Sequence, residues 1–304
     1  MKNSPIIKQL RCLLELLVLL ILWIIGMLIF NGIPRAILEA SSLLPGYSGN
    51  ESVSYPWINL IDNILLAIGT LLAVFLFFAI FGRSFKEVGF SLKGRLKDFG
   101  WGLAYGTGAI LSGFLILWAI GFIAIEPGSA SYLSVLACFL TFFFVALSEE
   151  LLCRGAMISI CLKYQKKIVA LIVPSLIFSV MHIFNGGFDW ISFGNIFLAG
   201  IFLGIYYVFH RNLWFPIALH LAWNFVQGPV LGFAVSGTST PELITQTQHG
   251  SVLWTGGVFG FEGSLLGLII LSVASLAVYF HFRKAPVTIE ATDEQDVFTT
   301  PSSD

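Results

Sequence analysis

Residues 132–162 read YLSVLACFLTFFFVALSEELLCRGAMISICL, and the reading of this stretch decides the fold. Up to Leu147 it carries no charge, and its length exceeds the roughly 17–25 residues that a helix needs to cross a bilayer. Only a helix or a closed barrel satisfies its own backbone in hydrocarbon. Midway along it stand Glu149, Glu150 and Arg154. Ionisable groups are costly in such a setting, so their presence points to function when partners are at hand. Glu150 and Arg154 are spaced i,i+4, which puts them on one helical face.

Further along the chain the pattern recurs. Phe178 and His182 stand four apart in the next apolar run, and His220 and Asn224 four apart in a later one. Taken singly, each has an ordinary explanation. Glu150 and Arg154 would steady a helix end, Phe178 would pack, a lone histidine would sit satisfied in a core, and Asn224 would hydrogen-bond between helices. Taken together, two carboxylates, two imidazoles, an amide and a guanidinium form a catalytic inventory. His210, His249 and His281 fall at span ends or in loops and have no assigned role.

Composition agrees with a membrane setting. Of 304 residues 57% are hydrophobic and 11% charged, with a mean hydropathy of +0.89. A soluble domain carries about 25% charged residues, so there is too little polar surface here for a water-soluble globule. A net charge of −1 without a basic cluster argues against nucleic acid as a partner. Cys12, Cys138, Cys153 and Cys161 show neither metal-site nor disulfide-framework spacing and read as small apolar residues.

The fold class expected is all-α, a polytopic membrane protein with about eight transmembrane helices and an intramembrane polar site. The spans fall near 12–32, 57–82, 99–124, 132–162, 168–185, 191–209, 213–232 and 260–282. The first apolar run, about 18 residues, is too long for a signal-peptide core of about 7–15 and reads as a retained helix. Lys and Arg collect before the first span, at Arg83–Lys97, at Lys163–Lys167, at Arg211 and at Arg283–Lys284. The alternate loops are nearly free of them. With eight spans and both termini cytoplasmic, every basic loop lies on one side. The chain divides into a cytoplasmic N-terminus (1–11), a helical membrane domain (12–284) and a polar tail (285–304) expected to be disordered. Residues 233–258 read as an outer-side loop.

Helical rise puts the polar residues at one depth. Glu150 is about 20 Å from Lys163, His182 about 22 Å from Lys167, and Asn224 about 20 Å from Arg211. A fourth helix covering 132–162 would be about 46 Å long against a hydrocarbon thickness of about 30 Å. It must therefore tilt strongly or break near Gly155.

Glu149-Glu150-x-x-x-Arg154, Phe178-x-x-x-His182 and His220-x-x-x-Asn224, in this order, resemble the three motifs of the CAAX-protease and bacteriocin-processing (Abi) family of intramembrane proteases. The run from Arg83 to Phe90 is similar to that family's cytoplasmic loop. Leu213–His220 is similar to its approach to the third motif, and Thr255–Gly263 to a segment before the last helix of many bacterial members. The similarity covers roughly 80–282. It implies peptide-bond hydrolysis in or beside the membrane. The eukaryotic relatives remove a C-terminal tripeptide from prenylated proteins; some others are linked to bacteriocin immunity or peptide processing. The chain looks bacterial in type, so the reaction class alone carries over, with the inner membrane as the expected location. The partners expected are membrane lipid and a membrane-bound or lipidated protein or peptide substrate.

Amide hydrolysis needs a base for water, an oxyanion stabiliser and an acid for the leaving amine. With Glu150 neutralised by Arg154, Glu149, about 100° around the helix, is free to act as base. His182 positions the water, and His220 and Asn224 stabilise the oxyanion. Zn2+ at Glu149, His182 and His220 is an open alternative, since two histidines and a glutamate form a known zinc set, although no H-E-x-x-H is present. Two other functions fit the same chain: a non-catalytic bacteriocin-immunity or scaffold protein of the same fold, and a transporter. Against the transporter, no inverted repeat is visible.

Overall fold

A computed structural model describes residues 4–41 and 55–284. The polar tail expected at 285–304 and most of the loop after the first helix lie outside the described residues. Eight helices stand where the apolar runs predict them. They are α1 (Pro5–Ala40), α2 (Pro56–Ile80), α3 (Leu96–Ala119), α4 (Tyr132–Tyr164) and α5 (Lys167–Val180), followed by α6 (Trp190–His210), α7 (Trp214–Phe225) and α8 (Leu265–Phe282). Six of them are long and apolar enough to cross a membrane. The other two are shorter: α5 has 14 residues and α7 has 12, continued by the five-residue π segment Val226–Val230, so they are about 21 and 25 Å long by helical rise, short of the hydrocarbon thickness of about 30 Å. These two carry the second and third motifs.

The outer surfaces explain the composition. Exposed Leu13, Leu17 and Ile24 on α1, Ile68, Leu72 and Phe75 on α2, and Ile269, Val273 and Leu276 on α8 recur at helical spacing. Such stripes match a lipid solvent, in which apolar side chains carry no exposure penalty. Between helices, small residues set the approach. Gly102 and Gly106 of α3 lie so close to α7 that an added Cβ would stand 2.3 Å from Phe215 O and 2.4 Å from Leu219 O. This small-xxx-small contact seats α7, and with it His220, against α3.

Of the two alternatives for the long fourth helix, strong tilt or a break near Gly155, the break does not occur. Instead α4 continues as one helix whose section Leu151–Ile158, directly after the glutamate pair, has π geometry. All eight of its residues are buried. A side chain at Gly155 would meet Val88 Cγ1 at 2.7 Å, so the glycine there serves packing and not a hinge. Two further π segments occur among the described residues, Leu28–Gly32 within α1 and Val226–Val230 after α7. Those after α7 and after the glutamate pair each follow a motif; the one in α1 does not.

Residues 233–258 are more ordered than a loop reading implies. Strand β1 (Ile123–Pro127) pairs antiparallel with β2 (Ile244–Gln248), from Ile123 opposite Gln248 to Pro127 opposite Ile244. The third apolar run accordingly ends as helix at Ala119, and its last residues join the strand. Phe259 and Phe261, beyond it, are buried and fasten this layer to the bundle.

Candidate active site

Glu149 and Glu150 end the regular part of α4, and their consecutive positions aim them differently. Glu150 is wholly buried, while the side chain of Glu149 keeps a quarter of its exposure. Arg154 donates from Nη1 to Glu150 Oε1 at 2.8 Å and from Nη2 to the Gly200 carbonyl of α6 at 3.2 Å. Its guanidinium lies 4.7 Å from the Phe178 ring centre, a cation–π contact. Phe178 therefore supports the arginine as well as packing.

The same Glu150 Oε1 accepts from His220 Nδ1 at 2.8 Å. A carboxylate oxygen that already accepts from an arginine can only accept again, so Nδ1 carries the proton. The other imidazole nitrogen, Nε2, faces Glu149 Oε2 at 3.8 Å. His220 is thus held between the two glutamates, oriented by the inner and presented to the outer. The expected pairing of Glu150 with Arg154 is present, but the pair is a triad that includes His220.

His182 sits in the turn just past α5, beyond the helix proper. Its Nδ1 is 2.8 Å from Phe178 O. A carbonyl only accepts, so the proton is again on Nδ1 and the lone pair of Nε2 is free. Its ring stands edge-on to Phe178 with centroids 4.7 Å apart.

Glu149, Phe178, His182, His220 and Asn224 all line one cavity of about 250 Å³. Glu150 and Arg154 do not line it; they form the layer behind its wall. The three residues expected to hold Zn2+, Glu149, His182 and His220, all line this cavity. Among the described residues no three His, Cys, Asp or Glu side chains are grouped so as to hold a metal ion.

Several cavity residues escape the motif reading. Asn59 and Asn63 of α2 contribute amides, and Thr141 of α4 a hydroxyl. Asn59 and Asn63 carry the same signature as the motifs, a polar i,i+4 pair in an apolar run. Glu262, 4% exposed, also lines the cavity. It accepts from Trp223 Nε1 at 2.9 Å and from Ser236 N and Oγ at 2.8 and 2.7 Å. Ser236 has φ of 47°, a left-handed conformation uncommon outside glycine. One carboxylate thus ties α7 to the outer layer and holds a strained residue in place. The sequence signal was a lone acid in a glycine-rich stretch at the head of the last apolar run.

Fold and site together define a multi-pass helical membrane protein with a carboxylate–imidazole centre buried among its helices. Residues 131–226 match the family model described as Rce1-like, type II CAAX prenyl endopeptidase Rce1-like. That segment holds all three motifs, and the family it matches is the one that the motif resemblance implied. The match supports a CAAX-type intramembrane protease in general. No curated protein and no solved structure matches the chain.

Proposed function

We propose that the protein is an intramembrane endopeptidase that hydrolyses a peptide bond in a membrane-associated protein or peptide, using water activated by glutamate and histidine. The observation that carries this reading is the convergence of Glu149, His182, His220 and Asn224 from three helical segments on one cavity. A water between Glu149 and His182 gives one proton to the Glu149 carboxylate and donates its other hydrogen to the free Nε2 of His182. The hydroxide oxygen bonds to the scissile carbonyl carbon, and the C=O electron pair moves to its oxygen. The Asn224 amide donates to that oxyanion, and each such donor is worth about 2.7–4 kcal/mol. Collapse of the intermediate breaks the C–N bond, and the proton held on Glu149 passes to the leaving amine. His220, with its orientation fixed by Glu150, offers the Nε2 lone pair beside Glu149, an acceptor for the proton that Glu149 takes from the water.

Basic residues at one end of the bundle favour a cell membrane with both termini cytoplasmic. The prenylated tails cleaved by the eukaryotic relatives belong to a different setting, so a lipid-modified substrate is one member of the proposed class and not its definition.

The test compares the membrane proteomes of cells carrying wild-type or Glu149→Gln protein, then assays any accumulated species with purified enzyme. A precursor that accumulates with the variant and is cut by the wild type supports the peptidase. Identical proteomes and equal turnover would overturn it in favour of an immunity or scaffold role. Turnover retained in a strong chelator fits the residue-only scheme; a loss restored by added Zn2+ would overturn that scheme.

A further inference from the structure

We infer that substrate enters the cavity from the end of the bundle without basic loops, the end covered by residues 233–264, and that this is the extracytoplasmic end. The peptidase reading supplies what the cavity does; where it opens is independent of that reading.

The basic end is closed. The segment 83–95, with Arg83, Lys86 and Lys93, lies across it and is fastened by several contacts. Leu213 N donates to Gly89 O at 3.0 Å, Asn212 Nδ2 to Ser91 O at 2.9 Å, and Trp214 Nε1 to Phe90 O at 3.1 Å. Tyr207 Oη lies 3.0 Å from Val88 O and 3.3 Å from Gly155 O. Val88 is wholly buried and packs on the π section of α4, all of whose residues are buried. This layer, with Arg154 and Glu150 inside it, separates Glu149 from the basic end.

The opposite end has the reverse character. Cavity residues there are half-exposed (Asn59, Asn63, Asn185, Ser236) or exposed (Thr238). Asn59 and Asn63 lie in the first two turns of α2, and Asn185 lies past the end of α5, so all belong to the end remote from Lys163, Lys167 and Arg211. The wall offers amides, hydroxyls and two carboxylates, with no arginine or lysine. It suits the main-chain donors and acceptors of a peptide and lacks the cations that bind phosphate headgroups. About 250 Å³ is below the roughly 300–1,000 Å³ of drug-sized sites, room for a short extended segment. By the inside-positive rule this end faces out, so the occupant is an outward-facing segment of a membrane protein or an exported peptide.

Accessibility of introduced cysteines tests this without turnover, because all four native cysteines are buried. In intact cells a membrane-impermeant thiol reagent should label Thr238→Cys and, within the cavity, Asn63→Cys, with Asn185→Cys as a second reporter. Lys93→Cys should react only after lysis, a contrast of at least about tenfold. Labelling of Asn63→Cys and Asn185→Cys only after lysis would overturn the proposal. Full labelling of a protein without peptidase activity would sink the peptidase reading and leave the entry face standing. Substrates recovered with Glu149→Gln should carry their cleavage sites on the outer side of the membrane; cytoplasmic sites would overturn the assignment.

Discussion

Glu150 shows how one buried carboxylate serves two cations at once. Its Oε1 accepts from both Arg154 and His220, and it has no exposure to the cavity, whereas Glu149 beside it lines the cavity. Glu150→Gln removes the countercharge from a buried guanidinium, and breaking such a pair costs about 3–5 kcal/mol. We expect it to lower the melting temperature in detergent and to reduce turnover together. Glu149→Gln should abolish turnover at near-wild-type melting temperature. A stable, inactive Glu150→Gln beside an active Glu149→Gln would reverse the assignment and make Glu150 the base. Glu262 offers a separate case. Glu262→Ala leaves Trp223 Nε1 and the Ser236 amide without their acceptor, and hydrogen bonds to charged groups are worth about 1.5–3 kcal/mol each. Protease cutting within 233–258 should become faster in this variant; unchanged cutting would show that the carboxylate does not hold the outer layer.

At the scale of elements, two helices too short to span are the ones that present the second and third motifs. Irregular backbone at membrane depth is tolerated where it lines a cavity, and the turn at His182 does so. Because α7 is short, its position depends on its neighbours, above all on the glycine face of α3. Gly106→Leu would drive a side chain into Leu219 O, next to His220, and overpacking of this kind costs about 1–3 kcal/mol. We expect turnover to fall at least about tenfold through displacement of His220, with α-helical circular dichroism retained. Wild-type turnover would show that α7 is seated by other contacts. At the basic end, α1 is fastened through Glu15, which meets Lys163 Nζ at 3.1 Å, Arg83 Nη1 at 3.5 Å and the Tyr164 hydroxyl. The single acid in the first apolar run therefore joins α1 to α4 and to the loop after α2.

Across the whole molecule, charge and cavity define opposite ends. Arg83, Lys93, Lys163, Lys167, Arg211 and Arg283 gather at the closed end, and the cavity reaches toward the other. Reporter fusions after residue 284 and within 233–258 should report opposite compartments, the former cytoplasmic. Both on one side would break the topology and with it the outward direction of the cavity.

The sequence by itself determined that the chain lives in a membrane, where its helices lie, and which motif residues stand as polar pairs in apolar runs, because apolar length and i,i+4 spacing are local properties. The pairing of Glu150 with Arg154 was legible for the same reason, both members lying on one face of one helix. Only the tertiary structure decided that His220 completes that pair from a distant helix, that Glu150 stands behind the wall and Glu149 in it, and that Glu262 and the α2 asparagines share the cavity. These depend on how helices rotate and approach, set by contacts such as Gly102 on Phe215 O and by the π turn after Glu150. A π turn changes which way successive side chains point without leaving a periodicity in the residues. The strand pair was hidden for a related reason: β1 finds its partner more than a hundred positions away, and a pairing between distant segments is written in no single window of the chain.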